Sequence, residues 1–477
     1  LFRIPLHPKY LAHYYNKYTY PIQNVRTREM ITELKNKSYL CLCKSKYYIM
    51  EEYKYKPRVI DSLLSRKLRG KGAVLIEGAK WCGKTSTAEQ QAKSIIYMSD
   101  PKFRDQYSLF VDTHPEMILD GETPRLIDEW QQTPKLWDQI RFEVDHRKGM
   151  GHFILTGSAI PAKRDEIFHT GTGRFAWLTM RPMSLWESGD SNGKVSLREL
   201  FTAPESIAAT CDTDLRKIAF LTCRGGWPQA ALMSDDEEIA LDQAIDYYDA
   251  VVNSDIQRVD DVNRDPERVK RLMRSYARFQ GSQSSFTEIC KDMEANEKSG
   301  LDENTISSYL NALRQIFVVE DMHAWNPNLR SKTAIRSTDT RYFVDPSIAT
   351  AALGLGPEDL MNDLETFGLL FETLSVRDLR VFSQALDGEV YHYRDKSGLE
   401  CDAVVHLRNG SYGLIEIKLG GDRLIEEGSK TLSTLAAKID TTRMKNPAFL
   451  MILTATGGFA YRRKDGVYVV PIGCLKD

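Results

Sequence analysis

The stretch Gly78-Ala79-Lys80-Trp81-Cys82-Gly83-Lys84-Thr85 constrains this chain more than any other. It has the form G-x-x-x-x-G-K-T, a phosphate-binding loop. Its flanks are the ones such a loop requires. Ala73-Val74-Leu75-Ile76 reads as a buried parallel strand ahead of it, and Thr85 to Lys93, free of Gly and Pro, reads as a helix behind it. Glycines let the backbone curl until its N–H groups point at phosphate oxygens. The helix N-terminus adds partial positive charge at the same spot. All eight residues then surround the phosphates of ATP, with Lys84 at the β and γ groups and the Thr85 hydroxyl on Mg²⁺.

A second strand with chemistry follows one helix and one strand later. Arg125-Leu126-Ile127 ends in Asp128-Glu129, the Walker B pattern. Asp128 is expected to hold Mg²⁺, which prefers few carboxylates and keeps its waters. Glu129 is expected to orient or deprotonate the attacking water. The next buried strand, Phe153-Ile154-Leu155-Thr156-Gly157-Ser158, ends in small polar residues that would sense the γ-phosphate. Gly171-Thr172-Gly173-Arg174 then offers an arginine that would reach a neighbouring subunit's nucleotide; the alternative is a solvated surface arginine. Cys82, beside Lys84 at a helix N-terminus, reads either as a reactive thiol whose alkylation blocks ATP or as a small filler under the loop.

Length and charge bound the rest. A chain of 477 residues is too long for one core. With 42% hydrophobic and 27% charged residues it reads as globular and soluble. No apolar run approaches the roughly 20 residues of a membrane span, and no signal-peptide core is present. Eight cysteines without C-x-x-C pairs or zinc spacing exclude a disulfide framework and fit a reducing cytoplasm. The net charge of −2 hides an asymmetry: residues 1–49 hold nine Lys/Arg against two acids, so +7, leaving −9 for the remainder. DNA contact by the body therefore needs a local basic face. Residues 1–49 also lack periodicity and precede Met50-Glu51-Glu52. They read as a non-native or disordered upstream extension with Met50 as natural start, or alternatively as a basic arm for nucleic acid or membrane.

Around the phosphate loop, Pro57 to Arg69 reads as a helix with Ile60, Leu63, Leu64 and Leu68 on one face and Gly70 as its C′ residue. Gly189 to Ser206 reads as a loop. Cys223 to Pro228 is a sharp turn in which Arg224 either senses nucleotide or serves the turn, and Asp235 to Val252 is helical. Residues 265–345 look like a winged helix: helices Val269–Phe279, Phe286–Met293 and Glu303–Phe317 (capped by Asp302), then strands 318–322 and 342–344. Arg330, Lys332, Arg336 and Arg341 would touch the DNA backbone, unless the domain only packs.

The C-terminal part holds a second constellation. Asp402 on the strand Cys401–Val405 and Glu416 and Lys418 on the strand Tyr412–Lys418 form D-x13-E-x-K, with Glu372 on the upstream helix Leu364–Leu379. Residues i and i+2 of a strand share a face, so Glu416 and Lys418 point the same way. Two acids and a lysine can hold Mg²⁺ against a phosphodiester.

GAKWCGKT, LIDEWQ, FILTGS, GTGRF and LTMRPMSLWESGDS together resemble the bacterial and archaeal AAA+ ATP-binding family that carries a PD-(D/E)XK nuclease-like C-terminal domain of unknown function. The resemblance implies ATP hydrolysis, with Ser158 in the place of sensor 1 and Arg174 in that of an arginine finger. With the winged-helix pattern read above, the expected chain is α/β: P-loop parallel-sheet ATPase core (50–190), helical lid (191–264), winged helix (265–350) and nuclease-like domain (351–477). Glu400-Cys401-Asp402 departs from the family's P-D, so the likeness supports that fold more than cleavage. The expected partners are ATP with Mg²⁺, DNA and further copies of the chain, with no membrane. The alternatives to an ATPase are an ATP-gated DNA-binding protein or nuclease, and a non-catalytic ATP-binding scaffold or regulator.

Overall fold

The computed structural model describes residues 39–43, 46–50, 55–159, 170–204, 207–233, 235–260, 262–297, 301–327 and 337–477. The chain divides into two units, Leu1–Tyr55 and Lys56–Asp477. In the first, β1 (Tyr39–Cys43) and β2 (Lys46–Met50) pair antiparallel. The rest of the extension expected over 1–49 lies outside the described residues.

The second unit begins with α1 (Val59–Gly70), β3 (Ala73–Glu77), α2 (Lys84–Glu89), β4 (Ser94–Tyr97), α3 (Arg104–Thr113), α4 (Glu116–Leu119), β5 (Arg125–Asp128), α5 (Leu136–His146), β6 (Phe153–Gly157) and β7 (Phe175–Thr179). The five strands form one parallel sheet, ordered β4-β5-β6-β3-β7. Ala73 to Ile76 are buried on both sheet faces, as helices covering both sides require. The α1 stripe Ile60, Leu63, Leu64 and Leu68 is buried as expected. Two boundaries differ. Gly70 is the last helical residue and extended Lys71 follows it, so no left-handed cap forms. α2 stops at Glu89, because the chain must turn before β4 begins at Ser94.

Next come α6 (Leu185–Ser188), β8 (Val195–Ser196), α7 (Leu197–Thr202), β9 (Ala209–Thr210), α8 (Leu215–Arg224), α9 (Pro228–Leu232) and α10 (Glu237–Ala250). β8 and α7 occupy the stretch expected to be a loop. Val195, Leu197 and Leu200 are buried there, and β8 finds its partner at the far end of the chain. Three further helices follow, α11 (Pro266–Arg278), α12 (Phe286–Asn296) and α13 (Glu303–Gln315). Asp302 caps α13, accepting from Thr305 N at 3.0 Å. The segments expected as wing strands meet only through the isolated bridges Val319↔Phe343 and Met322↔Thr340. Arg330, Lys332 and Arg336 lie outside the described residues. Arg341 is buried and paired with Asp321 at 3.0 Å, which takes it away from any DNA backbone.

After α14 (Pro346–Leu353) and α15 (Pro357–Asn362), the long α16 (Leu364–Ala385) leads into β10 (Gly388–Arg394), β11 (Glu400–Leu407) and β12 (Tyr412–Lys418). α17 (Asp422–Lys438), β13 (Phe449–Thr454), β14 (Phe459–Arg462), β15 (Tyr468–Pro471) and β16 (Leu475–Lys476) complete the chain. The seven-stranded sheet runs β10-β11-β12-β13-β15-β14-β9, so β9 from the middle of the sequence closes its edge. β16 pairs parallel with β8. Among the described residues, no helix is long and apolar enough to cross a membrane.

Candidate nucleotide site and the C-terminal acid–lysine cluster

The loop after β3 has the backbone a phosphate nest needs. Gly78 has φ 152°, and a Cβ there would lie 2.0 Å from the Met180 carbonyl oxygen. Gly83 caps α2 at φ 103°. Both positions therefore require glycine. Lys84 is buried, and its ammonium donates to Gly78 O at 3.0 Å and Ala79 O at 2.8 Å. Among the described residues no carboxylate forms an ion pair with it. Lys80 pairs with Asp255 just beyond α10, and Trp81 is 56% exposed at φ 63°. Cys82 is fully buried and its thiol donates to Met180 O at 3.4 Å. Its burial favours the filler reading.

The carboxyl ends of β5 and β6 complete the site. The Thr85 hydroxyl donates to Asp128 Oδ1 at 2.7 Å, and Thr156 donates to the same oxygen at 2.6 Å. The two halves of the motif are thus in direct contact. This donor set, one carboxylate and hydroxyl oxygens beside a phosphate nest, fits Mg²⁺. Glu129 sits in the left-handed region at φ 57°, which turns its side chain off the strand line. Its Oε2 accepts from Ser158 Oγ at 2.9 Å and from Gln131 Nε2. Thr156 Oγ1 also accepts from Glu129 N at 3.2 Å.

Three residues escaped the sequence reading. Gln131 grips Glu129 from the turn after β5, and only a residue as small as Gly157 leaves it room: a Cβ there would lie 3.1 Å from Gln131 Oε1. Arg58 braces the loop from beneath, donating to Cys82 O at 2.8 Å and to Glu187 Oε1 at 3.0 Å. Glu187 lies in the quoted LTMRPMSLWESGDS stretch, but nothing local marks Arg58 as its partner. Asp255 carries no motif at all.

Arg174 is separate from this group. It precedes β7 at the amino end of the sheet, where its carbonyl accepts from Ala73 N, the first residue of β3. Its guanidinium pairs with Asp145 at 2.8 Å and is 44% exposed. The loop lies at the carboxyl end of β3, five residues on, roughly 16 Å away. Arg224 is buried, pairs with Asp190 at 2.9 Å and donates to Gly225 O, so it serves the turn.

The second constellation does converge. The register Ala403↔Ile415 sets Asp402 beside Glu416. Lys418 Nζ lies 3.0 Å from Asp402 Oδ2 and 2.7 Å from Glu416 Oε2. Asp402 Oδ2 also accepts from Ile417 N at 2.7 Å. Glu372, from α16, accepts from the Tyr342 hydroxyl. Burial, reinforced by Asp402, pushes the Glu416 carboxyl up to about 8. The same two causes hold Glu372 well above the usual carboxylate range. Burial works against the Lys418 ammonium, but Asp402 and Glu416 outweigh it and hold it above the ordinary lysine range. Glu416 Oε1 and Thr454 Oγ1 are buried without a hydrogen-bond partner among the described residues. The cluster is filled by the lysine ammonium: Lys418 and a backbone N–H take Asp402 Oδ2, Lys418 takes Glu416 Oε2 and Tyr342 takes Glu372 Oε1, with Glu416 Oε1 left open, and among the described residues no three His, Cys, Asp or Glu side chains converge on one point.

Comparison with known proteins bears on these sites. Residues 70–188 match the family model described as AAA domain. Residues 215–359 and 367–475 match two domains of unknown function, DUF8612 and DUF4143. No curated protein matches. Among solved structures, the chain is similar to the Walker-type ATPase PABY2304 of Pyrococcus abyssi, at 12% identity and TM-score 0.37, covering 61% of this chain and 94% of that one. It is also similar to the Aeropyrum pernix ORC2 protein in its ADPNP–ADP complexes, at 12% identity and TM-score 0.28, covering 57% and 90%. The loop geometry and the match over 70–188 support an AAA-type P-loop nucleotide-binding domain within this chain.

Proposed function

We propose that the chain binds ATP with Mg²⁺ and hydrolyses it. One observation carries this reading: the Thr85–Asp128 contact beside a lysine that only main-chain carbonyls hold. Lys84 exchanges those carbonyls for β- and γ-phosphate oxygens, and the N–H groups of the loop cradle the rest. Thr85 and Asp128 hold Mg²⁺, which when bound neutralises phosphate charge. Glu129, released from Gln131 and Ser158, accepts a proton from the attacking water. Ser158 and Thr156 link that carboxylate and Asp128 to the γ-phosphate. Arg174 is too far from its own loop to act there, so we assign it to the nucleotide of a neighbouring copy in a homo-oligomer. α11–α13 serve as a winged helix, and the C-terminal sheet as a nuclease-like fold.

A second reading, an ATP-gated module acting on DNA, would use a run of contacts from the loop toward the cluster: Arg58, which donates to Cys82 O, also donates to Arg181 O at 2.9 Å. Arg181, just past β7, pairs with Glu320 at 2.6 Å. Arg380 of α16 donates to Glu320 O at 2.9 Å and lies 5.7 Å over the Tyr342 ring. Tyr342 in turn holds Glu372.

The test is phosphate release by the whole chain with Mg²⁺ and ATP, with excess chelator, and with duplex or single-stranded DNA. Metal-dependent turnover is expected, and stimulation by DNA would favour the second reading. ATP binding without turnover under any condition would overturn hydrolysis and leave a scaffold or regulator. Metal-dependent nicking of DNA, lost in Asp402→Ala, would contradict the closed state of the acid–lysine cluster.

A further inference from the structure

Two thiols at the closing edge of the seven-stranded sheet take no part in the nucleotide site. Cys211 follows β9, and Cys474 ends the short turn between β15 and β16. Each lies against the backbone beside the other. The Cys474 thiol donates to Thr210 O at 3.5 Å, and a Cβ on Gly473 would lie 3.0 Å from the Cys211 sulfur. The two thiols are close enough for each to shift the other's titration. The backbone around them is fixed from both sides. Cys211 N donates to Gly458 O at 3.0 Å, Asn192 N donates to Gly473 O at 2.8 Å, and Asn192 Nδ2 donates to Thr210 O at 2.9 Å.

Cys82 faces the carbonyl of Met180, Cys223 that of Leu355, and Cys401 those of Ala403 and Ile415. The Cys211–Cys474 pair is also unequal. Cys474 beside it holds the Cys211 thiol below its usual range against the effect of burial, and a backbone N–H at Thr213 adds to this. Cys211 in turn, with burial, holds Cys474 up. An attacking thiolate beside a protonated partner is the arrangement in which thiol oxidation ends in a disulfide.

We propose that Cys211 and Cys474 form an oxidation site at which a hydroperoxide converts the dithiol to a disulfide. The Cys211 thiolate sulfur attacks the terminal peroxide oxygen. The O–O bond breaks, and the alkoxide or hydroxide leaves with a proton as alcohol or water. Cys211 is then a sulfenic acid. The Cys474 sulfur attacks the Cys211 sulfur, the S–S bond forms, and the S–O bond breaks. Hydroxide departs as water with the Cys474 proton. Two thiols lose two electrons and the peroxide gains them. The product staples the segment after β9 to the last turn of the chain. That segment leads directly into α8 and the Arg224–Gly225 turn, so oxidation removes freedom from the link between the two sheets. The proposal stands apart from the nucleotide reading, since it needs neither ATP nor metal.

The experiment is treatment of the folded whole chain with hydrogen peroxide near stoichiometry, then digestion without reductant and mass spectrometry. The expected product joins the Cys211 and Cys474 peptides, lacks two hydrogen atoms and is reversed by dithiothreitol. The oxidised protein should also melt at a higher temperature than the reduced one. In Cys474→Ser, Cys211 should remain a sulfenic acid that a dimedone reagent traps. Recovery of both cysteines as free thiols from oxidised wild-type protein would overturn the proposal. So would a link between other cysteines in their place, and the wild-type result decides even where the variant fails to fold.

Discussion

The nucleotide loop and the C-terminal cluster use the same residue types to opposite ends. Each places a lysine and acids in a largely buried site. In the loop, main-chain carbonyls hold Lys84, and hydroxyls hold Asp128. Neither charge cancels the other, and both remain available to an incoming phosphate and its cation. In the cluster, Lys418 lies 3.0 Å from Asp402 and 2.7 Å from Glu416, so its charge is met inside the site. A site prepared for a charged ligand keeps its charges apart with neutral partners; a site that has closed on itself pairs them.

The largest effect that would break this contrast is in the loop. Lys84→Ala should lower ATP turnover by about 10²–10³-fold, because its ammonium is the buried cation held inside the loop. Its thermal stability should change little, since only carbonyls lose a partner. Lys418→Met should do the reverse. It leaves buried Glu416 and half-buried Asp402 without their cation and should cost about 3 kcal/mol in chemical denaturation. Turnover per folded molecule should hold. If Lys418→Met is neutral in stability, the cluster is not closed.

Gln131→Ala sharpens the loop side. Gln131 touches Glu129 and not the nucleotide, so kcat should fall about tenfold with KM for ATP unchanged. A matching rise in KM would instead make Gln131 a ligand-binding residue.

The smallest effect concerns pH. The Glu416 carboxyl is raised from 4.5 to about 8 in the fold, so between those values the folded state holds the extra proton. Stability from this group is therefore complete at low pH and is lost as pH rises through about 8. Glu416→Gln, a mimic of the protonated acid, should flatten that part of the profile. An unchanged slope in melting temperature against pH would contradict the raised value.

How much of this could be read in advance follows the same division. The loop, Asp128-Glu129 and the β6 residues were legible because each is a short run whose neighbours in sequence are its neighbours in space. The D-x13-E-x-K group was legible because a hairpin brings those strands together, and Glu372 because α16 packs on them. The closure of the cluster was not legible: a shared strand face puts Glu416 near Lys418 but does not say which protons they carry. Gln131, Arg58 and Asp255 were hidden for another reason, as each acts on a residue far along the chain or around a turn. β8 and α7 were missed because their few apolar residues bury against strands at the other end of the sequence.

The central claim is that separated charges in the loop serve ATP hydrolysis, with Glu129 acting on water and not on binding. Glu129→Gln tests it most directly, by equilibrium ATP binding and phosphate release on the same preparation with Mg²⁺. The account predicts binding close to wild type and release lowered about 10²-fold. Wild-type release from the variant would contradict it.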